Sequence, residues 1–263
     1  KEISKDLVQQ VNSLILEKYV DKENIERYSR QILLSEIGGS GQKKISNKKI
    51  LVVGIGGLGC PSLNYLTTSG VGTIGFIDGD IVNLSNLNRQ TLFSEKNLGM
   101  LKANVAKEKL KMINSNVNLI SFPFMLNEEN SEKIISQFDL ILDGTDNFEI
   151  RYLINKSCLK FKIPLISGSL ARWEGQIMFF NYKNGSPCYE CIYPRSINKK
   201  ELNSCQEGGV FAPLSGVIGT MMASEALKFI IGSGENFINK IFIFDILNHQ
   251  NKKISIKKNI DCG

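Results

Sequence analysis

The chain has 263 residues, 42% of them hydrophobic, and a formal charge of +6 from 32 Lys and Arg against 26 Asp and Glu. That is ordinary globular composition with room for one large domain or two small ones, and the basic residues are too scattered for a nucleic-acid stripe. Its single histidine, His249, excludes a His-pair zinc protease and leaves one residue for any Ser-His-Asp triad, so Arg, Lys, Asp, Cys and backbone N–H groups must carry most of any chemistry.

Residues 3–19 place Leu7, Val8, Val11, Leu14 and Ile15 at helical spacing, which predicts an amphipathic N-terminal helix. Residues 24–36, with Ile25, Tyr28, Ile32 and Leu33, predict a second, and Gly38, Gly39 and Gly41 are expected to break the chain. KILVV (49–53) reads as a buried strand, Gly59 to about Ser69 as a helix, and 73–78 as the next strand. A helix at 101–113, strand at 117–122, helix at 128–137, strand at 139–143, helix at 148–161 and strand at 163–167 continue the alternation. This pattern predicts an α/β fold with a doubly wound, mostly parallel, Rossmann-like sheet.

After Trp173 the pattern changes. Segments 175–182 and 240–247 read as β without an intervening crossover of the earlier type, and 252–258 alternates Ile with Lys, so an antiparallel extension is expected in the C-terminal half. Residues 183–213 are rich in Gly, Pro, Asn, Ser and Cys and predict a long loop of the kind that is usually functional. Residues 214–231 predict a strong helix for core or dimer packing. One domain is expected over 1–263, with 1–24 as a helical extension.

The longest apolar runs fall far short of the roughly 18–20 residues that cross a bilayer, so no membrane partner is expected. The six cysteines are too sparse for a disulfide scaffold and suit a reducing compartment. Cytoplasmic placement follows as an expectation. An organelle stays open, because the chain begins at Lys1 rather than Met and an upstream segment is expected to have been removed.

The chemistry starts at Gly54-Ile55-Gly56-Gly57-Leu58-Gly59, which follows a predicted strand and opens a predicted helix. Such glycines let backbone N–H groups approach a phosphate, and the helix N-terminus adds partial positive charge. Asp78 ends the next strand, where a carboxylate can accept from ribose hydroxyls. The same loop can also be a tight turn with no ligand, and it does not separate NAD from ATP. Beyond Asp78 come Asp80, Asn83, Asn86, Asn88, Arg89 and Gln90, then Lys102 at a helix start. Arg89 can take phosphate oxygens bidentately and Lys102 can act as a point charge. Asp143 to Asn147 sit at another strand's carboxyl end, where a carboxylate can hold Mg²⁺ beside phosphates. Hydride transfer has no need of these groups, whereas splitting a phosphoanhydride does.

RYSRQ (27–31), GIGGLGCP (54–61), DGDIVNLSNLNRQ (78–90), GTDN (144–147), EGQ (174–176), CYEC (188–191) and APLSGVIG (212–219) occur in the order found in the ThiF/MoeB/HesA family, which the chain resembles over about residues 25–262. These are small relatives of ubiquitin-activating enzymes. The resemblance implies ATP-dependent adenylation of the C-terminal Gly-Gly carboxylate of a small ubiquitin-like sulfur-carrier protein, in molybdopterin, thiamin or tRNA-thiolation chemistry. It implies that Gly54, Gly56, Gly57 and Gly59 cradle the nucleotide and Asp78 binds ribose. Arg89, Gln90 and Lys102 would contact phosphates, Asn86 would help position them, and Asp146 would bind Mg²⁺. Arg30 would reach into the neighbouring subunit's site, making a homodimer part of the mechanism.

Cys188-x-x-Cys191 has half the spacing of a structural zinc site, with a CxxC redox pair as the alternative. The family's other half is a C-terminal CxxC, of which Cys262 is present, so the chain is expected to stop just before its fourth zinc ligand. Cys205 matches the family cysteine that carries persulfide or acyl chemistry in some branches; a plain loop thiol is the other reading. Cys60 and Cys158 read as packing residues. With no rhodanese-like segment, a separate sulfur donor is expected. Two other classes remain: an NAD(P)-dependent oxidoreductase, which would bind NAD(P) and exchange no pyrophosphate, and a non-catalytic, zinc-stabilised scaffold for a ubiquitin-like protein.

Overall fold

KILVV forms β1 (Lys49–Val53), the inner strand from which the rest of the sheet is laid down in both directions. The computed structural model describes residues 22–182, 186–195, 208–259 and 262. With β2 (Thr73–Ile77), β3 (Asn118–Phe122), β4 (Leu140–Asp143), β5 (Leu165–Ala171), β6 (Glu174–Phe180), β7 (Lys240–Asp245) and β8 (Gln250–Ser255), it makes an eight-stranded sheet of order β3-β2-β1-β4-β5-β6-β7-β8. The pairs from β3 through β5 are parallel, and β6, β7 and β8 add on antiparallel.

The inner strands are covered on both faces, which is why β1, β2 and β4 are near-continuous apolar runs. Alternation along β1 sends Ile50 and Val52 to one layer and Leu51 and Val53 to the other. The first layer is closed by α3 (Gly59–Thr68), α4 (Lys102–Ile113) and α8 (Ala212–Ile231), through Leu63, Leu66, Ala106, Leu110, Ile218 and Met222. The second layer is closed by α5 (Ser131–Ile135) and α6 (Phe148–Phe161), through Ile134, Ile135, Ile154 and Cys158. Cys60 and Cys158 are both fully buried in these layers, as expected.

Several boundaries differ from the sequence reading. The first described helix, α1, is Lys22–Ile32, and 3–19 lies outside the described residues. The glycines expected to break the chain instead open a helix, α2 (Gly38–Ser46). A Cβ on Gly41 would lie 3.1 Å from Ile37 Cγ2 and 3.5 Å from Ile231 Cγ2, so this glycine permits close packing on α8. The 183–213 segment carries a helical turn, α7 (Tyr189–Ile192), and α8 starts at Ala212 with proline in its first turn. The last strand ends at Ser255, short of the expected 258.

At 20 residues α8 is long and apolar enough to cross a bilayer by length and composition, which the count of unbroken apolar runs overlooked because Gly, Ser and Thr interrupt it. Its packing is that of a core helix. Leu214, Ile218, Met222, Ala223 and Ala226 are buried, and buried Glu225 accepts from the Phe237 N–H at 2.8 Å.

Gly72 lies between α3 and β2, and a Cβ there would sit 1.9 Å from the Ser46 carbonyl oxygen, a backbone atom that cannot swing aside. Gly72→Ala is expected to cost about 1–3 kcal/mol, read as a lower urea midpoint with unchanged slope. An unchanged midpoint would contradict this packing of the α2–β1 turn on the β2 approach.

Candidate active site

Strand order reverses between β1 and β4: β1 is flanked by β2 on one side and β4 on the other, so the chains leaving them diverge and open a crevice at their carboxyl ends. Gly54 leaves β1 with φ +85, and a Cβ there would stand 3.2 Å from the Gly144 carbonyl group. Gly59 begins α3 with its Cα packed so tightly that a Cβ would lie 2.0 Å from the Gly54 oxygen. The loop between them thus keeps its backbone bare at the start of a helix, where N–H groups favour an anion. Gly57 lies beside Arg89 Cδ, and Gly56 beside Gln90 Nε2, at 3.5 and 3.9 Å from their ideal Cβ positions.

Asp78 ends β2 against this loop. Its carboxylate accepts from the Ile55 N–H at 2.7 Å and from the Asp80 N–H at 2.9 Å. Burial pushes its pKa up, and the opposing pull of Lys102 and the two N–H groups does not cancel it. Lys102 is buried and holds Asp80 Oδ2 at 2.9 Å, while Asp80 itself is half exposed. The Lys102 N–H also donates to the Asp80 carbonyl. Asp78, Asp80 and Lys102 are therefore one unit built on a single turn. Asp80 was noted in the sequence only as a neighbouring polar group; its role as the lysine's partner comes from the geometry.

Arg89 donates from Nη1 to the Ser85 carbonyl and to Asn88 Oδ1, which fixes the side chain whose Cδ lies next to Gly57. Gln90 is 3% exposed and its Oε1 is buried with no hydrogen-bond partner. Such an orphaned oxygen costs about 1–3 kcal/mol; the amide atom facing the loop is Nε2, a donor that suits a phosphate oxygen. Asn86 Oδ1 accepts from the Asn83 N–H and closes a helical turn at 84–86, so that oxygen orders the loop.

The turn after β4 supplies the facing wall. Asp143 is 1% exposed; its oxygens accept from the Thr145 N–H and Oγ1 and from Ser167 Oγ. Asn147 caps α6 by accepting from the Glu149 and Ile150 N–H groups. Between these anchors, Asp146 is exposed. One exposed carboxylate beside a phosphate cradle suits Mg²⁺, which binds through one or two carboxylates with phosphate oxygens. Arg151, absent from the sequence reading, lies buried behind this turn.

Arg30 is exposed on α1, apart from the helix's inward anchors. Those are Tyr28, whose hydroxyl accepts from buried Asn114 Nδ2, and Gln31, which donates to Gln42 Oε1 at 2.6 Å. Cys205 lies outside the described residues. His249 sits at the β7–β8 turn with φ +54 and Trp173 stacks on Phe211 at 4.5 Å between ring centroids.

Cys188, Cys191 and Cys262 converge although far apart in sequence. Cys188 Sγ lies 3.8 Å from Cys191 Sγ and 3.4 Å from Cys262 Sγ, and all three sulfurs fall within 4.8 Å of one another. Tetrahedral zinc with Zn–S near 2.3 Å places its sulfurs about 3.8 Å apart, so the donor set fits zinc. Burial pushes the Cys262 thiol up to about 12, with hydrogen bonds to Cys188 and Cys191 adding to it. Burial also raises Cys191, but N–H groups of Cys188 and Asn259 and the neighbouring thiols outweigh it, so Cys191 is the thiol held low.

The sequence profile of the ThiF family matches residues 28–263. The chain belongs to the ThiF family. This ThiF-family chain is 49% identical over 215 residues to the adenylyltransferase and sulfurtransferase UBA4 of Meyerozyma guilliermondii, covering 81% of this chain and 50% of that protein. It is 42% identical to the adenylyltransferase and sulfurtransferase MOCS3 of Xenopus laevis, over 91% of this chain and 53% of the other. The chain thus spans about half the length of these relatives. A sulfur carrier protein adenylyltransferase of Thermus thermophilus is 36% identical over 92% of this chain and 90% of its own. Among solved structures, E. coli MccB with ATP superimposes with a TM-score of 0.79 at 27% identity, over 95% of this chain and 76% of that one. The mixed sheet expected from the sequence is the fold of these relatives.

Gln90→Leu removes the orphaned acceptor while keeping the volume. It is expected to leave the melting temperature unchanged or higher and to weaken ATP binding about tenfold or more, the usual opposition of stability and function at a binding site. A lower melting temperature with unchanged ATP affinity would contradict this role.

Proposed function

We propose that the chain adenylates the C-terminal Gly-Gly carboxylate of a small ubiquitin-like sulfur-carrier protein with ATP, preparing it for thiocarboxylation. One observation carries the reading: Arg89 and the Gln90 amide lie against a bare glycine loop, Lys102 pairs with Asp80 next to the Asp78 carboxylate that holds that loop, and the turn bearing Asp146 faces it. The relatives' names, which specify adenylyltransferases, and the MccB structure with ATP support it.

The chemistry brings two anions together. A carboxylate oxygen of the carrier forms a bond to the α-phosphorus of ATP, and the bond from that phosphorus to the bridging oxygen breaks. Pyrophosphate leaves with the electron pair, and the carrier holds an acyl-adenylate. The nucleophile is already ionised, so no general base is required, in keeping with a chain that has one histidine. The glycine-loop N–H groups and Asp78 seat the nucleotide. Lys102 and Arg89 offset the repulsion and stabilise charge on the phosphates, a role that depends on positioning rather than on proton transfer. Mg²⁺, held by Asp146 with the phosphates, would neutralise charge on the leaving pyrophosphate. Arg30 reaching across a homodimer would add a further cation, and a separate protein would donate sulfur. Zinc on Cys188, Cys191 and Cys262 would fasten the C-terminal tail to α7.

The test is ATP–pyrophosphate exchange with a panel of Gly-Gly-ending carriers. Exchange is expected with one carrier, and Lys102→Ala or Asp146→Asn is expected to lower it about 10²–10³-fold. No exchange with any carrier, alongside tight NAD(P) binding, would overturn the reading. Metal analysis of the full-length protein is expected to give zinc, lost in Cys188→Ser; a zinc-free protein would remove the site.

A further inference from the structure

Beside the crevice, Arg151 is a charged group to which the glycine loop, the cations and Asp146 give no role. Arg151 is 6% exposed on the first turn of α6. A helix N-terminus disfavours a cation, and burial of the charge adds to the cost. Asp143 lies nearby as its buried counter-charge. The guanidinium donates from Nε to the Thr145 carbonyl at 3.2 Å and from Nη2 to both the Thr145 and Gly168 carbonyls, the latter at 3.0 Å. Its flat face packs toward the Phe148 ring, 5.7 Å from the centroid. These bonds join the turn after β4 to the middle of β5, two carbonyls that one planar fork can span and a single ammonium cannot.

Thr145 is thereby held at every polar atom: N–H and Oγ1 on Asp143, carbonyl on Arg151. The same residue forms a wall of the cradle, its Cγ2 lying 3.3 Å from the ideal Cβ position of Gly54. Asp146 is the next residue. We propose that Arg151 is a positioning residue for the nucleotide site, holding the Gly144–Asn147 turn so that Asp146 meets the magnesium-bound triphosphate. The inference rests on the adenylation reading for the identity of the ligand and extends it to a residue that touches neither ATP nor metal.

Arg151→Lys keeps the charge beside Asp143 and loses the fork. ATP binding to the whole protein, titrated with Mg²⁺ and read by calorimetry, needs no carrier. The Mg²⁺ concentration for half-maximal ATP binding is expected to rise about tenfold or more, the size seen when outer partners of a metal ligand are removed. AMP binding without Mg²⁺ is expected to stay within about twofold, because a loosened turn moves Asp146 before it disturbs the glycine loop. An unchanged Mg²⁺ requirement would overturn the proposal, as would ATP binding by the unaltered protein that is indifferent to Mg²⁺. Loss of AMP affinity in step with the Mg²⁺ effect would also overturn it, by showing general collapse of the site. Should Arg151→Lys fail to fold, Thr145→Val loosens the same turn by removing its bond to Asp143. It must shift the Mg²⁺ requirement in the same direction, and an unchanged requirement overturns the proposal. A protein that binds ATP with Mg²⁺ but exchanges no pyrophosphate would refute the adenylation reading alone.

Discussion

Two backbone turns meet in close contact at the ends of β1 and β4. The Gly54 Cα faces the Gly144 carbonyl so closely that an added methyl would lie 3.2 Å from it. That contact depends on β1 and β4 being hydrogen-bonded neighbours, and on the chain turning away from both in opposite directions. The helix that starts at Gly59, the N–H of Ile55 on Asp78 and the placement of Thr145 all follow from it. The crevice is a product of strand order, and glycine is what lets its walls close to backbone distance.

Buried charge is used here to fix backbone. Lys102 pairs with Asp80 where β2 leaves the sheet, Asp143 and Arg151 flank the turn after β4, and Glu225 with Lys228 fastens α8 to the Phe237 segment. Each pair gains little net energy against the cost of desolvating its members. Asp143, Arg151 and Glu225 also take up N–H or carbonyl groups that a sharp turn would leave unsatisfied. The proposed adenylation, which brings two anions together, needs positive charge that does not relax when the substrates arrive, and charges locked to backbone turns meet that need.

The fold was largely legible because its inner strands are apolar on both faces and its glycine loop sits in an unambiguous strand–helix context. β1 and α6 match the sequence reading to the residue. Local pattern failed where tertiary contact decides. Gly38, Gly39 and Gly41 look like a break, yet helix formation there is supported by packing on α8, which no local window contains. The site was legible as a set of residue types around one strand edge. Arg151 was not, since a buried Arg is indistinguishable from a surface one without its carbonyl partners. The thiol cluster was half legible: the CxxC spacing is local, whereas the arrival of Cys262 depends on the path of the chain after β8.

The proposed adenylation requires this crevice to direct a carrier carboxylate to the α-phosphorus of ATP. It is tested most directly by following oxygen: a Gly-Gly-ending carrier labelled with ¹⁸O in its terminal carboxylate is incubated with the protein, Mg²⁺ and ATP, and the acyl product is cleaved at carbon by a thiol. Attack at the α-phosphorus leaves one carrier oxygen in AMP, so label in AMP is the predicted result. Label in inorganic phosphate, or none in either product, would contradict it.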